Sequence, residues 1–395
     1  DNDGDDDLVI SSGRGGSLAY YRNQDGSRFE LAPGGAKLGG LELDLTTPLG
    51  FSVSEKNVCV IGTSSFEGDQ DVANVFETLD LASIDRFVPL GGYKAQGSCT
   101  GPLAAADVDG DGDLDLLVGG RNIRAAYPLP ASSRLMLNQS GSFEEDPTNH
   151  SVLNRIGMVS GAVFSDIDDD GDPDLILALE WGPITVLRNE DGKLADVTAD
   201  FGLSDLMGWW NGVTTGDLDG DGHLDIVAVN WGENSKYHTS SDQPVLVYAN
   251  DFDQSGSLDV VEAHFDPLMK CLVPERGLSC SSNAMPFIRK QLPTFAKFGG
   301  AQLQEIYGEQ SLENAYRREV TTLSHTVFLN RGDHFVPVEF PQYAQVAPGF
   351  GVNVADFNGD GHQDVFMAQN FFATQIETNR LDAGRGLLLL GNGSG

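Results

Sequence analysis

Apolar runs of a few residues recur along the chain between glycine-, asparagine- and aspartate-rich stretches, and this grammar predicts short strands rather than helices. Runs at 8–10, 104–106, 162–164, 175–177, 226–229, 352–355 and 365–367 flank acidic loops. A further run closes on an Asn, Gly and apolar turn. It reads Tyr20, Tyr21, Arg22, Asn23 with Gly26 and Phe29, then Leu135, Met136, Leu137, Asn138 with Gly141 and Phe143. It returns as Val186, Leu187, Arg188, Asn189 with Gly192 and Leu194, and as Val327, Phe328, Leu329, Asn330 with Gly332 and Phe335. Three to four antiparallel strands are implied for each repeat of about 50 residues.

The pattern breaks twice. Residues 41–96 contain no acidic loop, although Val58, Cys59, Val60, Ile61 read as a strand and 69–82 as a short helix, so a degenerate repeat is expected. In residues 266–320, Phe287, Ile288, Leu292 and Leu303, Ile306, Tyr307 fall at helical spacings, ending in a predicted helix over 311–318 that starts at Ser311. This small helical insertion is either a docking surface, a cover or edge padding.

The dominant motif is D-x-D-x-D-G-x-x-D. Complete copies are Asp107, Asp109, Asp111, Asp115, then Asp166, Asp168, Asp170, Asp174, then Asp217, Asp219, Asp221, Asp225. Substituted copies are Asp251, Asp253, Ser255, Asp259 and Asp356, Asn358, Asp360, Asp364, and Asp1, Asp3, Asp5, Asp7 form an amino-terminal fragment. Oxygen ligands at positions 1, 3, 5 and 9 of a tight loop converge on a hard cation, with glycine at position 6 permitting the turn. Position 7 is Asp113, Asp172, His223, Ser257 and His362 in turn, an indifference that predicts a main-chain ligand. Crowded carboxylates favour calcium over magnesium, and about five or six ions are expected. EF-hands are excluded, because position 12 after Asp107 is Val118 and the flanks read as strands.

Units of this kind cannot bury both faces alone and must stack. A linear solenoid would need capping repeats, so closure is expected. One amino-terminal unit, the cryptic unit at 41–96 and five later loops make seven. The expected fold is therefore all-β: a single seven-bladed β-propeller domain over 1–395 with calcium-binding loops and the insertion at 266–320.

Composition sharpens this picture. With 24 basic and 59 acidic residues the formal net charge is −35, which repels nucleic-acid phosphates and argues against that partner class. No apolar run approaches the roughly 20 residues needed to span a bilayer, so membrane insertion is not expected. The chain opens inside an acidic motif, the mark of a processed or truncated piece. Cys59, Cys99, Cys271 and Cys280 allow three pairings or four reduced thiols; a Cys271 to Cys280 disulfide bond would close a short loop and fix the insertion.

At the acidic loops and the Asn, Gly and aromatic turn, the chain resembles the FG-GAP or VCBS repeats of integrin alpha-chain propellers and many secreted bacterial proteins. Lys290, Ala301, Leu303, Ile306, Tyr307, Gly308, Leu329 and Asn330, with Asp382, Ala383, Gly384, Arg385 and Gly386, resemble the bacterial and cartilage-acidic-protein branch that often carries an ASPIC/UnbV domain. The resemblance implies structural calcium within the blades and a secreted, periplasmic or cell-surface location. Scarce cytosolic calcium argues for the same place.

Binding, adhesion or scaffolding toward a protein or glycan is the expected function. Ligand contacts are expected just beyond the loop-following strands, at Asn122, Trp181, Trp231 and Phe371, gathered on one rim. Arg121, Glu180, Asn230 and Asn370 share these positions, with Trp209, Trp210 and Asn211 nearby; the same aromatics would otherwise be packing residues. No local catalytic signature is present, but carboxylates brought together from separate repeats would be invisible in a linear reading. A calcium-dependent polysaccharide lyase or hydrolase is therefore the alternative.

Overall fold

The computed structural model describes residues 5–32, 44–53, 56–66, 76–80, 97–374 and 378–393. They form seven separate antiparallel sheets and a few short helices. The chain divides into two compact units.

The first unit comprises residues 1–124, 130–177 and 186–196. One sheet orders Leu8–Ile10, Ala19–Gln24 and Arg28–Leu31, and a second orders Asp44–Val53, Lys56–Ser64 and Phe76–Asp80. A third runs Ser142–Glu145, Arg134–Gln139, Asp115–Ile123 and Ser98–Ala106. Its central strand starts with six consecutive buried residues, the signature of a strand covered on both faces. Leu116, Val118, Met136 and Phe143 pack with Val58, Val60 and Leu103 in one cluster. Each such side chain contributes about 1.5–3 kcal/mol by leaving water. A further sheet orders Met158–Ser165, Asp174–Gly182, Ile184–Glu190 and Lys193–Asp196, of which residues 158–177 and 186–196 fall in this unit.

The second unit comprises residues 125–129, 178–185 and 197–395. In one of its sheets Asp225–Val229 lies between Gly212–Gly216 and Thr326–Asn330, with Phe335–Glu339 outermost. The chain between those two central neighbours builds a complete further sheet, ordered Cys271–Pro274, Asp259–Asp266, Val245–Asn250 and Tyr316–Val320. Five short helices pack on it: Leu278–Ala284, Phe287–Gln291, Phe295–Gly299, Leu303–Tyr307 and Glu309–Glu313. They place Leu278, Ile288, Phe298, Leu303, Ile306 and Leu312 against Leu246, Tyr248 and Val261. The last sheet orders Gly349–Ala355, Asp364–Gln369 and Leu387–Leu389.

Several expectations are corrected. The architecture is all-β with separate sheets, not a closed seven-bladed propeller: among the described residues, Leu8–Ile10 pairs only inside the first sheet and Leu387–Leu389 only inside the last, so no strand from one terminus completes a sheet at the other. Repetition predicted stacking sheets; it did not specify closure.

No disulfide bond is present, and all four cysteines are free. Cys271 is held in a strand opposite Asp266, whereas Cys280 sits in the Leu278–Ala284 helix. The predicted helix over 311–318 ends at Glu313 and gives way to the strand Tyr316–Val320, and Ser311 lies inside the helix rather than at its cap. The predicted helix at 69–82 falls largely outside the described residues; 76–80 is strand.

Candidate cation loops and an aromatic cavity

The acidic loops share one hydrogen-bonded frame. Position 1 accepts the position-6 glycine N–H in all five: Gly112 to Asp107, Gly171 to Asp166, Gly222 to Asp217, Gly256 to Asp251 and Gly361 to Asp356, at 2.9–3.1 Å. These glycines have φ between 86° and 97°, where a β-carbon is disfavoured. Position 7 donates its N–H to position 5, as in Asp113 to Asp111, Asp172 to Asp170, His223 to Asp221, Ser257 to Ser255 and His362 to Asp360.

Position 9 has a role that the spacing did not reveal. The Asp115 carboxylate accepts the Val108 N–H at 2.9 Å and the Asn138 N–H at 2.8 Å, clamping the loop to a neighbouring strand. Asp174 does the same for Ile167 and Asn189, and Asp225 for Leu218 and Asn330. Asp364 takes Phe357 and Gly391, and Asp259 takes Phe252. The strand asparagines turn their own Oδ1 to the glycine of the following turn, Gly141, Gly192 and Gly332. The recurring Asn and Gly are thus parts of the same clamp.

Burial pushes the Asp115 and Asp174 carboxyls up to about 6, against the lowering effect of their backbone donors; nearby Asp109 and Asp111, or Asp168 and Asp170, add to the rise. Asp225 and Asp259 are raised by the same burial. Crowded, desolvated carboxylates of this kind favour a compensating cation.

Four loops bring carboxylate oxygens within 4.8 Å of one another: Asp107, Asp109, Asp115; Asp166, Asp168, Asp174; Asp217, Asp219, Asp225; and Asp251, Asp253, Asp259. Asp107 Oδ1 and Asp168 Oδ1 are buried without a hydrogen-bond partner among the described residues. An all-oxygen, anionic donor set with unsatisfied buried oxygens fits a hard divalent cation, whose charge would satisfy them.

The fifth loop differs because Asn358 replaces the position-3 carboxylate and donates to Asp360 at 2.9 Å. Ser255 and Ser257 bond each other at 2.7 Å in the fourth. Asp5 accepts the Gly26 N–H and Asp7 accepts the Asn23 N–H, the latter repeating the position-9 clamp; Asp1 and Asp3 lie outside the described residues.

In the second unit, the expected contact positions Trp181, Trp231 and Phe371 form one aromatic row with Trp209. Trp209 stacks on Trp231 with centroids 4.4 Å apart and planes 11° apart, and Trp181 lies 4.9 Å from Trp209. Phe371 follows at 5.3 Å from Trp231. A register shift between Glu180 and Gly182 gives Trp181 a φ of 59°, a bulge that re-aims its side chain. Trp181 is nonetheless buried at 2% exposure, and its Nε1–H donates to Tyr127, whose hydroxyl donates to Glu180, both at 2.6 Å. Trp210 is wholly buried against Phe328. Asn230 is also buried, its side-chain Oδ1 accepting the backbone N–H groups of Trp209 and Trp231. Asn122 lies in the first unit, half-buried opposite Cys99.

The half-buried part of the aromatic row opens on a cavity of about 220 Å³, walled by Trp209, Trp231, Tyr237 and Phe371 with Lys236, Glu262 and Arg276. Sequence reasoning missed Tyr237, Glu262 and Arg276, which come from the segment threaded between two strands of a single sheet. The Tyr237 hydroxyl donates to Glu262 at 3.0 Å, and Arg276 Nε lies 3.4 Å from the same carboxylate. Lys236 lies 3.7 Å from Glu275, which also pairs with His264 at 2.7 Å. Burial, then Glu262, hold the Tyr237 phenol far above its usual range.

A family model described as FG-GAP-like repeat matches residues 107–177 and 166–228, the stretch holding the first three complete loops. The wider resemblance, and its assignment to the ASPIC/UnbV-associated branch, is corrected to this partial repeat region. No curated protein matches the chain. Among solved structures, BBS1N in complex with ARL6DN, soaked with mercury, is 14% identical, with 56% of this chain and 71% of that chain covered and a TM-score of 0.26. A Bombyx mori GH32 beta-fructofuranosidase mutant in complex with sucrose is 11% identical, with 85% and 71% covered and a TM-score of 0.33. No helix among the described residues is long and apolar enough to cross a membrane.

Proposed function

We propose that the chain is a secreted, periplasmic or cell-surface module whose acidic loops hold structural calcium and whose second unit binds an external protein or glycan. The observation that carries this reading is the repetition of one loop frame with three convergent carboxylates, two of them presenting a buried oxygen with no donor among the described residues. Loops of this type have modest affinity and fill in the millimolar calcium found outside cells. The cations fix the sheet ends, and the row Trp209, Trp231, Phe371 with its cavity supplies the aromatic surface typical of binding hot spots.

The test is capture from defined panels of extracellular proteins and glycans, with millimolar calcium and again with a chelator. Calcium-dependent capture without turnover supports the proposal. Depolymerisation of an anionic polysaccharide by the purified chain would replace it with the enzyme reading.

A further inference from the structure

We infer that the cavity beside Trp209 and Trp231 is a subsite for one neutral hexose ring, the terminal residue of a glycan. The inference rests on the binding-module reading and adds to it a ligand class and a place.

Charge excludes the other small ligands. Among the described residues both cations lining the cavity are already engaged, Arg276 with Glu262 at 3.4 Å and Lys236 with Glu275 at 3.7 Å. Neither is left to neutralise a carboxylate or sulfate, and the chain's net charge of −35 disfavours the approach of an anionic glycan. Among the described residues of the wall the one carboxylate, Glu262, is compensated by Arg276 and accepts the Tyr237 hydroxyl, so a cationic ligand finds no free counter-charge there. A neutral ligand remains.

The wall chemistry selects a polyol among neutral ligands. Indole and phenyl groups from Trp209, Trp231 and Phe371 offer apolar surface to the C–H groups of a sugar. The same wall holds Glu262, which accepts, Arg276 and Lys236, which donate, and Ser235, Thr378 and Asn379, which do both, matching hydroxyls that donate and accept around a ring. A volume of about 220 Å³ is smaller than a drug-sized pocket and holds one ring rather than an extended chain.

The test uses a glycan array with neutral hexose, uronate and sialate termini, probed with the calcium-loaded chain, followed by titration with the captured oligosaccharide. Three of the four tryptophans belong to the row, so intrinsic emission reports occupancy directly. Capture of hexose-terminated glycans with a change in emission is expected, and Glu262→Gln weakens it by about tenfold or more. Tyr237→Phe, which keeps the ring, serves as the second variant and weakens binding about threefold or more; near-UV dichroism confirms both folds. Capture confined to sialate or uronate termini, capture unchanged by both variants, or no glycan capture overturns the inference. Capture of a protein panel member without any glycan would do so while leaving the module reading standing.

Discussion

The Arg331 guanidinium lies 2.6 Å from an Asp219 carboxylate oxygen and 3.0 Å from Asp221, so the third acidic loop carries a cation supplied by the chain itself. Arg331 follows Asn330 in the clamp, where the first two loops have Gln139 and Glu190 after Asn138 and Asn189. The arginine occupies two of the carboxylates that a bound metal would need. Arg331→Gln is expected to raise calcium affinity at this loop by about threefold or more, read by calorimetric titration, and the gain shrinks with salt. Unchanged or weaker binding would show that the guanidinium does not compete.

Asp115 and Asp113 stand two residues apart with different duties. Asp115 is 1% exposed and holds two backbone N–H groups, whereas Asp113 contributes its own N–H to Asp111. Replacing Asp115 with Ala leaves two donors without acceptors and is expected to cost about 2–5 kcal/mol, against under about 1 for Asp113→Ala. Urea unfolding in calcium-free buffer measures both, separating the clamp from metal binding.

His325 sets an acid dependence. Its Nδ1 accepts the Asn230 N–H at 2.8 Å and its Nε2 lies 3.0 Å from the Ala347 carbonyl oxygen, fixing the neutral ring in full burial. Burial lowers its pKa from 6.5 to about 4. Protons therefore bind the unfolded chain first: the stability contribution is complete above pH 6.5 and is lost as pH falls toward about 4, on the order of 3 kcal/mol. The calcium-free Asp115 and Asp174 carboxyls, raised to about 6, act in the opposite sense, contributing below the unfolded value of 3.8 and losing that contribution as pH rises through 6. The difference between wild type and His325→Gln across pH 7 to 4.5 isolates the histidine; parallel curves would refute its role.

Four free thiols are expected on denaturation without reductant. In the native state Cys59 should resist alkylation, because burial pushes its thiol up to about 12, while half-buried Cys271 and Cys280 are labelled first. Mass mapping of alkylated peptides checks this, and a Cys271 to Cys280 bridge would contradict it.

The strands were legible because each apolar run is bounded by turn residues, as at Leu135, Leu137 and Asn138. The loops were legible because their spacing is local. What escaped was non-local: the run Val327 to Asn330 read as part of a later repeat, but its strand pairs through Thr326, Val327 and Phe328 with Ala228, Val227 and Ile226, far upstream. The expected closure was an over-reading, since repetition of strand runs along the chain says nothing about how the sheets are arranged. Trp181, Trp231 and Phe371 were picked by position, and they do adjoin Trp209 or one another. Burial of Trp181 depends on Tyr127 and a bulge that no sequence period encodes. Tyr237, Glu262 and Arg276 carried no motif at all.

The acidic loops are proposed to hold calcium as part of the fold. Calorimetric calcium titration of the chelator-stripped chain, followed by thermal melts at zero and millimolar calcium, tests it most directly. Several ions bound, with a melting temperature higher by at least several degrees in calcium, is the predicted result. No heat of binding at millimolar calcium, with superimposable melts and metal content verified as zero at the start, would contradict it.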